Sequence, residues 1–151
     1  MGATADFNSS FKKNSRFCTD INCMDGRVQL PVISYLKKRF GVEYVDSITE
    51  PGPNRILAEQ KNNALISSIL SRVEISVRKH RSAGIAITGH HDCAGNPTTE
   101  TIQKRQIQQA VHFIRQKYQN IEVIGLWIDA HWQVTEINGT DTDAPKKSDF
   151  T

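Results

Sequence analysis

Hydrophobic positions along the chain switch repeatedly between a two-residue and a three-to-four-residue period, the pattern of strands alternating with helices. Ser15 to Asn22 reads as a first strand that delivers Cys23 to its carboxyl end. Val32, Ile33, Leu36 and Phe40 then mark one face of a helix stopping at Gly41, and VEYVDSI (42–48) reads as a second strand. After the turn segment TEPGPN, the spacing of Ile66, Ile69, Leu70, Val73 and Val77 predicts one long helix from about Arg55 to Arg81. IAIT (85–88) is a third, buried strand. Asn96 and Pro97 look like an N-cap and first residue of a helix with core positions Ile107, Ala110, Val111, Ile114 and Tyr118. IEVIGLWID is a fourth strand, and AHWQVTEINGT a hairpin or edge strand.

This alternation predicts an α/β fold, a mostly parallel sheet of four to five strands with helices on both faces. The expected organisation is an arm at 1–14, one domain at 15–138 and a flexible polar tail at 139–151, with no internal repeat. In such sheets ligands gather beyond the carboxyl ends of the strands. Cys23 follows the first strand and His90 and Cys93 follow the third, so if those strands are neighbours their loops open on one crevice.

Composition narrows the function. Nineteen Lys and Arg against sixteen Asp and Glu leave a net charge of +3, and the basic residues fall in scattered groups at expected helix ends, which argues against a nucleic-acid surface. No apolar run is long enough to span a membrane and residues 1–10 lack a secretory pattern, so a cytoplasmic location is expected. There, three cysteines are thiols or metal ligands rather than a disulfide framework. Cys18, inside the first strand, reads as core. Cys23, His90 and Cys93 form a soft set suited to zinc, with a fourth position open, and Asp25 and Arg27 of CMDGR can reach the metal from the first loop.

The paired motifs CMDGR (Cys23, Asp25, Arg27) and HHDC (His90, Cys93), in this order, resemble the β-class carbonic anhydrases, over roughly Ser15 to Asn138. The resemblance implies one zinc per chain on Cys23, His90 and Cys93, and reversible hydration of carbon dioxide to bicarbonate by zinc-bound hydroxide. It gives Asp25 two roles: paired with Arg27 as an acceptor for zinc-bound water, or swung onto the metal as fourth ligand in an inactive state. It also implies a homodimer or larger homo-oligomer. Carbon disulfide or carbonyl sulfide is the alternative substrate class, and a non-catalytic zinc protein the third reading.

This chain departs from the family pattern in several respects, among them the lack of an assignable Gln and aromatic pocket wall and three local changes. ITEPGPNRIL stands where the family has an Arg-Asn-Ala-Gly stretch, His91 replaces a Ser or Thr, and Ala94 separates Cys93 from Gly95. His91 is a candidate proton relay, though a solvated or helix-capping role is the simpler reading. Asp92 is expected to cap the following helix. Asn54 and Arg55 are candidate substrate-pocket residues, with Asn54 equally placed to be an N-cap. His80 is expected at the surface, His112 partly buried, and His131 in packing, with a pocket or a subunit interface as the alternatives.

Overall fold

The computed structural model describes residues 15–137; the arm and tail expected at the two ends lie outside the described residues. Five strands form one sheet in the order β2-β1-β3-β4-β5. β1 (Phe17–Cys23), β2 (Tyr44–Glu50), β3 (Gly84–His90) and β4 (Glu122–Ile128) run parallel. β5 (Val134–Ile137) returns antiparallel along β4. Among the described residues the α-helices are α1 (Gly26–Phe40), α2 (Pro53–Glu59), α3 (Asn63–Glu74) and α4 (Glu100–Lys117).

Side chains of alternate strand residues divide the core in two. Ile21, Ile48, Ile85, Ile87 and Trp127 point to one face, which α2, α3 and α4 cover with Leu57, Ile69 and Ile107. Cys18, Ala86, Leu126 and Ile128 point to the other, covered by Val28, Val32 and Leu36 of α1. The core reading of Cys18 is met: it is fully buried. Among the described residues no helix is long and apolar enough to cross a membrane.

The long helix expected from Arg55 to Arg81 is broken. Gln60 takes a left-handed conformation (φ 55°), and Asn62 accepts a hydrogen bond from Leu65 N as the cap of a new helix. The apolar stripe hides the break because both pieces lie on the same sheet face. After Glu74 the chain widens into a π-turn (Ile75–Lys79), which carries buried Ser76 to Thr19 and Asp46, 2.7 Å from each.

The helix expected to start at Pro97 starts instead at Glu100, capped by the Thr99 hydroxyl accepting from Ile102 N. Asn96 is buried and donates to Gln106 Oε1, and Asp92 caps nothing, pairing with Arg27. His112 is exposed rather than partly buried, because it falls one position outside the stripe of Ile107, Val111 and Ile114. His80 is exposed as expected, paired with Asp46 and stacked on Phe17.

Candidate metal centre

β1 and β3 are adjacent, so their carboxyl ends bring the two sequence motifs together. Cys23 and His90 are the last residues of their strands, and Cys93 follows in the turn after β3. All three are buried, and their ligand atoms lie within 4.8 Å of one another. This group could hold a metal ion.

The donor atoms fit zinc. The two Sγ atoms are 3.8 Å apart, and two thiolates each about 2.3 Å from one tetrahedral ion are separated by about 3.8 Å. His90 Nδ1 lies 2.7 Å from His91 O. A carbonyl can only accept, so Nδ1 carries the proton and Nε2 presents its lone pair. That Nε2 is buried and has no hydrogen-bond partner, a costly state unless an electron-pair acceptor completes it.

The thiols point the same way. Cys23 is pushed well below the ordinary thiol range, chiefly by its hydrogen bond with Cys93, against the opposing effect of burial; the His90 ring beside it and then backbone N–H groups of Gly52 and Asp25 help. Cys93 is pushed up, first by Cys23 and then by burial. A thiol beside a thiolate resists losing its own proton, and a bound cation would make the second thiolate favourable.

Asp25 caps α1: its Oδ1 accepts from Arg27 N at 2.9 Å. The same carboxylate takes three charged hydrogen bonds, Arg27 Nε to Oδ1 at 3.0 Å and to Oδ2 at 3.3 Å, and Nη2 to Oδ2 at 2.7 Å. These bonds with Arg27 lower the Asp25 carboxyl to about 2. Of the two arrangements the sequence allows for Asp25, this structure contains the pairing with Arg27.

Two amides, part-buried Gln29 and buried Gln103, brace the centre from opposite sides of the sheet. Gln29 Nε2 donates to Cys23 O (2.8 Å) and Asp25 O (3.0 Å), tying the first loop to α1. Gln103 Nε2 donates to His90 O at 2.7 Å, and its Oε1 accepts from Asn54 Nδ2 at 3.2 Å. Gly89 makes room for that pair, since a Cβ there would lie 2.9 Å from both Asn54 Nδ2 and Gln103 Oε1. Asn54 is thus an interior support of His90 and not a helix cap. Arg55 is exposed, paired with Glu59, and borders a cavity of about 200 Å³ with Gly52 and Gly95.

His91 is exposed and borders a cavity of about 240 Å³ with Asp92, Gln103, Trp127 and His131. Neither Gln29 nor Gln103 stands out in the sequence, because amides on helices are ordinary surface residues. Asp20 does carry a sequence signal, as a lone acid inside the strand FCTDINC. It is fully buried, accepting from Asn22 Nδ2 (2.5 Å) and Thr88 Oγ1 (3.1 Å), and burial pushes its carboxyl up to about 7.

Residues 13–138 match the model of the family described as "Putative carbonic anhydrase". The chain belongs to this carbonic anhydrase family. Among solved structures it is similar to the carbonic anhydrase from Glaciozyma antarctica, with a TM-score of 0.54 and 12% identity over 89% of this chain and 94% of that one. The β-carbonic anhydrase CcaA matches with a TM-score of 0.52 and 11% identity, covering 89% of this chain and 86% of the other. At such identity the two likenesses are of fold, and the fold is that of the β-carbonic anhydrases. No curated protein matches the sequence.

Proposed function

We propose that this carbonic anhydrase family member is a zinc enzyme catalysing the reversible hydration of carbon dioxide to bicarbonate. The observation that carries the reading is the buried Cys23–His90–Cys93 group, with the unpartnered His90 Nε2 among its donors. Those three residues would hold one zinc ion. When bound, zinc supplies a Lewis acid that lowers the pKa of water from 15.7 to about 7, so that a nucleophile exists at neutral pH.

The chain's own residues supply orientation and proton handling. Asp25, kept ionised by Arg27, is an acceptor at every physiological pH and would take a hydrogen bond from the attacking oxygen, fixing its direction. Arg27 holds that carboxylate turned toward itself. Gln29 and Gln103 fix the backbone on which Cys23 and His90 sit. His91, exposed at the rim beside His131, is the group we assign to carry the released proton to solvent.

We include a homodimer in the proposal, because Met24 and Leu30, 63% and 78% exposed, place apolar surface at the start of α1 beside the centre. Stopped-flow hydration of carbon dioxide by zinc-replete protein tests the reading between pH 6 and 9. Stoichiometric zinc without hydration at any pH overturns it. Parallel assays with carbon disulfide and carbonyl sulfide then separate the other hydrolytic substrates from a non-catalytic zinc protein.

A further inference from the structure

Three loops at the carboxyl end of the sheet meet on the guanidinium of Arg27. Its own loop supplies the Asp25 carboxylate, bound through Nε and Nη2. The loop after β3 supplies Asp92, whose carboxylate accepts from Nη1 at 3.2 Å and whose carbonyl accepts from Nη2 at 3.1 Å. The β4–β5 connection supplies Trp132, whose ring centroid lies 4.8 Å from Arg27 Cζ. Asp92 and Trp132 both have left-handed backbones, φ 56° and φ 61°, uncommon for any L residue and an outlier for a bulky one.

Stability does not explain this convergence. The Arg27–Asp92 pair is exposed, at 47% and 70% for the two side chains, and exposed ion pairs contribute little to folding. What the two contacts do restrict is direction. An arginine bonded only to Asp25 could move with it as a unit, whereas one gripped from two further loops cannot. Non-glycine residues held in sparsely populated backbone regions gather where a side chain must be aimed.

We propose that Asp92 and Trp132 are positioning residues that aim the Arg27 guanidinium at Asp25, keeping that carboxylate beside the Cys23–His90–Cys93 centre instead of within it as a fourth ligand. The inference rests on the zinc reading above and assigns its control to two residues outside the ligand set.

Cobalt(II) loaded in place of zinc tests it, because its visible bands report the donor set without any turnover. In Asp92→Asn and Trp132→Ala the bands shift as a carboxylate oxygen joins the two sulfurs and one nitrogen. Release of the ion to a chelator slows by about tenfold, the scale on which residues outside the ligand set tune metal affinity. Trp132→Phe, which keeps an aromatic face, stays near the unsubstituted protein. Adding Asp25→Asn to either variant abolishes both changes.

Bands and release rates unchanged in both single variants overturn the positioning role while leaving the metal centre intact. Changes that persist in the Asp25→Asn background also overturn it, since loosening of the loops would then be the cause. Failure of the unsubstituted protein to bind cobalt overturns the metal reading and this inference together. Should Trp132→Ala not fold, Asp92→Asn decides, because asparagine tolerates the left-handed backbone at that position.

Discussion

The sulfurs of Cys23 and Cys93 lie 3.8 Å apart although 70 residues of chain separate them. Parallel pairing of β1 with β3 closes that distance, and Gln29 and Gln103 hold the strand ends to α1 and α4. The unsubstituted protein should therefore carry one zinc per chain by elemental analysis. Cys23→Ser and Cys93→Ser should each lose it, while Cys18→Ser, altering a buried core thiol, should keep it.

Asp25 separates metal binding from catalysis. Asp25→Asn should retain zinc but lose about 100-fold or more in the rate of hydration, as expected when an orienting acceptor is removed. Stopped-flow rates beside zinc content check this, and retained activity would remove Asp25 from the mechanism. Because Arg27 holds its carboxyl at about 2, no loss of rate between pH 5 and 8 should come from Asp25.

Support of His90 by Gln103 should be measurable as metal affinity. Gln103→Ala leaves the His90 carbonyl and the Asn54 amide without their partner. Zinc affinity should fall by about 10- to 100-fold in a competition titration, the usual effect of disturbing a ligand's supports. Gly89→Ala, which forces a Cβ to 2.8 Å from Ile107 Cδ1, should cost about 1–3 kcal/mol of stability.

Asp20 should make stability fall as pH rises. Its folded carboxyl sits at about 7, above the usual carboxylate value near 4. The folded state thus binds the proton more tightly than the unfolded chain. The associated stability is fully present below about pH 4 and is lost as pH climbs through about 7, an effect on the order of a few kcal/mol. Urea unfolding at pH 5 and pH 8 should show this loss in the unsubstituted protein and a smaller one in Asp20→Asn; equal pH dependence in both would contradict the assignment.

The break between α2 and α3 is held by a local cap, so Asn62→Ala should destabilise by about 1 kcal/mol in the same unfolding assay, with zinc content unchanged.

The sequence by itself determined most of the elements and the candidate ligands. Strand and helix periods are local, and the metal triad is legible because Cys23, His90 and Cys93 sit at strand ends that a parallel sheet must place on one edge. Local pattern also misled where it was continuous. The stripe from Ile66 to Val77 suggested a helix reaching back to Arg55 across the turn at Gln60, and Asn96-Pro97 imitated a helix start that Thr99 provides.

Tertiary structure decided what depends on partners distant in sequence. Asp20 is a buried acid because Thr88, 68 residues away, and Asn22 satisfy its oxygens. Asp92 became a partner of Arg27, 65 residues away, instead of a cap. Trp132 reached the same guanidinium only because β5 folds back along β4. Periodicity reports which face a residue occupies; it carries no information on which polar group lies across the sheet, and here those groups contact the residues beside the candidate metal centre.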